Sequence, residues 1–460
     1  MRRLLLVLAF ASTVSAADLG TVAFPTSAKN PRAQALFERG LAALHSFWYE
    51  EAANAFHAAR ELEPTFAMAY WGEAMTYNHP IWMEQDRDAA LAILKALPKD
   101  AGTPREREWI ATLETLYGSG EKTARDTAYE RALAVLSARD PDDLEAQAFH
   151  ALSILGTMYR FADARKQVRA AAMLEPLLPR APEHPGLLHY LIHAYDDPVH
   201  APLGLRAAQH YAQVAPSAHH ALHMPSHIFL QLGMWDEAAK SNEAAWAASV
   251  AWVERAKLPS SKRDLHSLAW LQYIYLQQNR LADAKKLLDQ VSAEKGMSER
   301  EQSTRARMLA TWAVETGEPV EIANAGKDEG AQHCAAPYAS SGDVALYARG
   351  LDAIRHGDLD AANVPLSNEV MQFTMKAMIE RKRGDLTKAI AHAQHAVELE
   401  EAAAPPSGPP DVLKPSHELL GELLAAAGRC EESKEAYRKS LLRTPNRRLS
   451  LHAAPCTPRR

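Results

Sequence analysis

At 460 residues the chain exceeds one ordinary core of about 100–200 residues, so it is either several domains or a repeat array. Hydrophobic residues make up 47%, enough to bury a large apolar area, which excludes a disordered chain. The formal charge is −6 and no basic stripe stands out, which argues against a nucleic-acid partner.

The first residues read MRRLLLVLAFASTVSA. Arg2 and Arg3 form a positive start, Leu4 to Ala11 a short apolar run, and Val14, Ser15 and Ala16 a small-residue cleavage pattern. Residues 1–16 therefore read as a signal peptide, cut before Ala17, and the mature chain is expected to be exported, periplasmic or extracellular. The apolar run is too short to span a hydrocarbon core of about 30 Å, so no stable membrane insertion is expected after cleavage. Residues 17–32 form a lead-in.

From residue 33 a phase of small and aromatic residues sets in. With Ala33 as position 1, Gly40 is position 8, Tyr49 is 17, Ala52 is 20, Phe56 is 24, Ala59 is 27 and Pro64 is 32. The same register returns from 67, 219, 343, 370 and 414, with weaker copies near 144, 185 and 265. It predicts paired helices A and B closed by a proline that cannot continue the second helix. Isolated units of this kind cannot bury their apolar faces, whereas stacked neighbours can. The expected fold class is all-α, an α-solenoid of helical hairpins forming a right-handed superhelix with a concave groove.

Three stretches break the period: an insertion near 80–110, an irregular joint at 320–342, and a Pro-rich linker at 403–411. They divide the array into 33–319 and 343–447. Residues 448–460 read as a flexible basic tail. Cys334, Cys430 and Cys456 are too few and too scattered for a disulfide framework or a cysteine-based zinc site, although one disulfide is open to them after export.

The repeat phase resembles the 34-residue tetratricopeptide pattern. The segments AMAYWGEAM, HYLIHAYDD, HHALHMPSHIFLQLG and KPSHELLGELL resemble a group of exported bacterial tetratricopeptide proteins, and the HMPSHI string marks that group. The resemblance covers nearly the whole mature chain and carries over no reaction. It implies that helix A lines the groove and that positions 2, 5, 9, 12 and 13 touch a ligand there.

Eight histidines fall between residues 189 and 227, where an even spread of the twenty would leave about two. On the register, His189 and His193 take positions 5 and 9 of one helix A, with Asp196 and Asp197 at 12 and 13. His220, His223 and His227 take positions 2, 5 and 9 of the next, and His266 takes position 2 of the one after. Residues i and i+4 share a helix face, so His189/His193 and His223/His227 are two paired sets aimed into one groove. Imidazole is the commonest metal-ligand side chain, and nitrogen with carboxylate ligands suits zinc, copper or iron over calcium or magnesium. The candidate ligands of a divalent transition metal are His189, His193, Asp196, His220, His223, His227 and His266. No HExxH occurs, so a zincin-type protease is not indicated. Two other readings stand beside the metal: contact with a peptide or protein in the groove, and structural packing.

Pro225 interrupts this helix A and predicts either a kink or a restart. In the last repeat Lys414, Glu418 and Glu422 fall at positions 1, 5 and 9, either gripping a charged ligand or forming a solvated i,i+4 face. Trp71, at position 5 of the second repeat, is a candidate ligand contact at the groove mouth. Two functions from different classes follow: a metal-binding protein, perhaps an enzyme, or a non-catalytic scaffold for a peptide or protein.

Overall fold

The computed structural model describes residues 16–158, 163–319 and 341–457. The signal-peptide segment lies outside the described residues except for Ala16. So do Cys334 and the 320–342 joint, except for the last two residues of the joint.

The described chain is all-α apart from one small antiparallel pairing of Asn78–His79 with Glu84–Gln85. Helices follow one another in packed hairpins. Pro31–His45 packs on Tyr49–Leu62, Leu144–Gly156 on Ala164–Leu174, and Pro185–Ala194 on Ala201–Val214. His219–His223 and Pro225–Gln231 pack on Trp235–Ala256, and Leu265–Gln277 on Leu281–Ser292. After the joint come Glu369–Arg383 on Leu386–Ala402 and Ser416–Ala426 on Cys430–Arg443. The connections are too short for any arrangement but antiparallel neighbours.

The small residue at position 8 is there because the aromatic at position 24 crosses it. A Cβ on Gly40 would meet the Phe56 ring at 2.8 Å, and one on Gly421 would meet the Tyr437 ring at 2.9 Å. These two hairpins are each sealed by a ring laid across a bare backbone, and the hairpins from Leu19 to Trp312 share one core. Two smaller cores follow in the C-terminal part, one from Ala310 to Leu413 and one from Ala377 to Ala436. The 80–110 stretch is itself folded: it carries the helix Arg87–Lys95 and opens the helix Pro104–Leu116, which Thr103 and Glu106 start with a reciprocal capping box.

Three sequence expectations change here. Trp71 does not stand at a groove mouth. Its ring is fully buried among Phe24, Trp109 and Phe149, because three aromatic neighbours offer it a larger apolar surface than any groove. Lys414, Glu418 and Glu422 form neither a solvated face nor a free grip. Lys414 pairs with both glutamates, and Glu418, with no exposed surface, also takes a two-pronged guanidinium contact from Arg447 at 2.8 and 3.1 Å. The 448–460 segment is tied down: Arg448–Leu451 is a helical turn and Cys456 forms a disulfide with Cys430, while residues 458–460 lie outside the described residues.

Arg447 is the clamp for this docking. It has no exposed surface and bridges Glu418 to Glu315 at 2.6 Å, tying the last repeat to the helix Glu299–Thr316. Burial alone would raise the Glu418 carboxyl, but Arg447 and Lys414 hold it well below the usual range. Its stabilising contribution is therefore present above the unfolded carboxylate value near ~4.3 and is lost as pH falls below it. Arg447→Ala takes from Glu315 its nearest cation and leaves Glu418 with Lys414 alone, and is expected to cost about 3–5 kcal/mol at neutral pH. Urea unfolding at pH 7 and pH 3.5 checks this: the gap from wild type should shrink at the lower pH, and a pH-independent gap would contradict it.

Candidate metal centre

The six histidines from three successive A helices meet in one pocket. Pro225 is a restart: His219–His223 ends at Met224 and a new helix begins with Pro225 at its first position, where the missing N–H costs nothing. Despite the break, the His223 and His227 rings stay together. They form one trio with His266, and His189, His193 and His220 form another, the ligand atoms within each trio lying within 4.8 Å of one another.

The pair His223/His227 carries the chemistry. His223 Nδ1 lies 2.7 Å from Asn242 Oδ1, and Asn242 Nδ2 donates to the Ala238 carbonyl, which turns the amide oxygen toward the ring. His227 Nδ1 lies 2.6 Å from Asp196 Oδ2. Both Nδ1 atoms therefore donate, and in a neutral imidazole the other nitrogen is then a bare acceptor. Burial, then the neighbouring His227, push His223 down to about 4, so it carries no second proton near neutral pH. The two Nε2 atoms face each other at 3.2 Å, with that of His223 as the acceptor. Two imidazole nitrogens bound at 2.0–2.1 Å to one tetrahedral ion would lie about 3.4 Å apart. Acceptors that converge with their outer nitrogens anchored to a carboxylate and an amide are what a metal-binding histidine pair requires.

The inner trio is drier. His189 donates Nδ1–H to the His45 carbonyl at 2.6 Å, and its bare Nε2 faces His193 Nε2 at 3.1 Å. His220 Nε2 is buried with no hydrogen-bond partner. Burial pushes His189 down to about 3 and holds His193 and His220 well below the ordinary imidazole value. The outer trio opens to solvent through the exposed His266, which borders a cleft that includes Asp264, Trp270, Tyr273, Arg307 and Leu413.

Asp196, one of the sequence-predicted ligands, stands behind the site instead. One of its oxygens holds His227 and the other accepts from Gln231 at 3.2 Å, so both are committed. Gln231 also donates to the Pro406 carbonyl, which brings the 403–411 stretch onto the pocket. Gly408 lies flat on Trp270, where a Cβ would come within 2.4 Å of the ring, and Trp270 covers His227 at 4.4 Å between centroids.

Phe47 and Trp82 complete the wall and escape a search for ligand types. Phe47 lies over His189 at 4.3 Å between ring centroids, and Trp82 meets His220 at 5.6 Å. The backbone at Phe47 has φ 53, a left-handed turn that a bulky residue adopts only at a cost of roughly 1–2 kcal/mol. The same position 15 is Gly233, Asn279, Gly357, Gly384 or Gly428 in other hairpins, all at positive φ. The signal was in the register: a phenylalanine where its counterparts are glycine or asparagine marks a ring that is wanted over the histidines.

A third cluster, His45, Glu145 and His184, is also buried and was not anticipated. It is already satisfied. Tyr190 OH pairs with His45 Nδ1 at 2.8 Å and the Leu187 N–H donates to His184 Nδ1, so both Nε2–H groups donate to Glu145, at 2.8 and 3.0 Å. Burial would raise the Glu145 carboxyl, but the two imidazoles hold it low. The cluster positions rather than binds: it fixes His45, whose carbonyl orients His189.

No protein-family model matches the chain, and no curated protein matches it. Solved structures similar to it include a human IFIT1 dimer with PPP-AAAA (12% identity, TM-score 0.38, covering 80% of this chain and 73% of that one). Others are the APC/C hetero-tetramer Cut9–Hcn1 (13%, 0.36, 91% and 74%) and yeast Tom70 (11%, 0.29, 92% and 88%). Likeness at this level carries no function, which rests on the site's own chemistry.

Glu145→Gln is expected to lower stability by about 1.5–3 kcal/mol, since one imidazole N–H then meets an amide donor. It should leave the number of bound metal ions unchanged. Thermal unfolding together with metal analysis checks both, and a lost ion would make Glu145 a ligand.

Proposed function

We propose that this protein binds a divalent transition metal in its helical groove, with His223, His227 and His266 as the outer ligands. The single observation that carries the reading is the pair of Nε2 atoms facing at 3.2 Å with their Nδ1 atoms anchored outward. The donor set is imidazole with no thiolate and with its carboxylates one step behind, which suits zinc, copper or iron. Such an ion, open to a cleft at His266, supplies Lewis acidity or redox chemistry. The chain's own groups orient the imidazoles, through Asp196 and Asn242, and exclude water, through Trp270 and Phe47. Export is part of the proposal: the N-terminal pattern and the Cys430–Cys456 disulfide both suit an oxidising compartment. Among the described residues no helix is long and apolar enough to cross a membrane.

A second reading, a non-catalytic scaffold that holds a peptide or protein, is favoured by the cleft beside His266 and Trp270. It needs no metal, so the two separate cleanly. Calorimetry with zinc and with copper should show tight binding to wild type and a loss of tenfold or more in His227→Ala. His210, half-buried and paired with Glu183 at 3.0 Å, should tolerate replacement by alanine with unchanged affinity. Equal binding by all three proteins, or binding by none, would remove the metal and leave the scaffold.

A further inference from the structure

We infer that the six imidazoles form two adjoining three-nitrogen sites holding a pair of divalent transition-metal ions. The inference rests on the metal reading above and deepens it. Each trio is complete in itself, with one i,i+4 pair and a third histidine from elsewhere: His189/His193 with His220, and His223/His227 with His266. The trios touch at two places, His193 to His227 and His220 to His223, with ring centroids 6.0 Å apart in both. The inner trio has its own need for an occupant, since the buried His220 Nε2 has no hydrogen-bond partner. A single ion in the outer trio would leave it unanswered, and a buried polar atom without a partner is costly.

All six candidate ligands are imidazoles. Asp196 stands behind His227, and Asp264 is bonded to His219 at 3.4 Å and to Ser267, so neither carboxylate is needed to complete a trio. Imidazole without thiolate suits zinc or copper.

The test is a titration of the full chain with zinc, and in parallel with copper, followed by metal analysis of the desalted protein. Wild type should take up two ions. His266→Ala, at an exposed position, and His220→Ala should each take up one, and the double variant none, with unchanged helical content by circular dichroism. One ion in wild type overturns the paired site and leaves the metal reading standing, whereas no ion of either metal removes both. The wild-type count decides the matter even where a variant fails to fold.

Discussion

Two imidazole nitrogens held face to face set the terms for the middle of this molecule. His223 and His227 turn their Nε2 atoms toward each other because Asn242 and Asp196 hold the opposite nitrogens. Neither anchor stands alone. Asn242 is fixed by the Ala238 carbonyl one turn earlier on its own helix, and Asp196 by Gln231, which in turn reaches the Pro406 carbonyl. On the inner side the chain of support runs from Glu145 to His45 and from the His45 carbonyl to His189. The arrangement fixes the orientation of both imidazole pairs, as the outer hydrogen-bond partners of metal-binding histidines do.

A repeat scaffold suits this purpose. Stacked hairpins present the same face of successive A helices at fixed spacing, so a few substitutions on three neighbouring helices build a pocket while the packing positions keep their residues. Gly40 under Phe56 and Gly421 under Tyr437 follow the rule of the array. The departures from that rule gather around the histidines: Phe47 in a glycine position, Pro225 splitting a helix, and the 403–411 stretch laid on Trp270. Each costs local stability or regularity, and each shapes the wall of the same pocket.

The helical hairpins and six of the seven proposed ligands were legible in the sequence, because small/aromatic phase and i,i+4 spacing are local properties. What was not legible depends on long-range contacts. Asp196 occupies a groove position, yet its partner is a histidine 31 residues away, which turns it into an anchor. Glu145 reaches His45 across 100 residues, and Arg447 reaches Glu315 across more, so neither could be read from spacing. Trp71 and Lys414 sit at groove positions by count, but aromatic and ionic neighbours from other helices bury them. Phe47 is the exception, since its departure from the position-15 pattern was there to be seen.

The central claim is that histidine nitrogen binds a metal in this groove. X-ray absorption at the metal edge, on protein loaded with copper or with zinc, reads the ligands directly. The expected spectrum has a first shell of about three nitrogens near ~2.0 Å, with the outer scattering of imidazole rings. A first shell dominated by carboxylate or water oxygen, with no imidazole scattering, would contradict it.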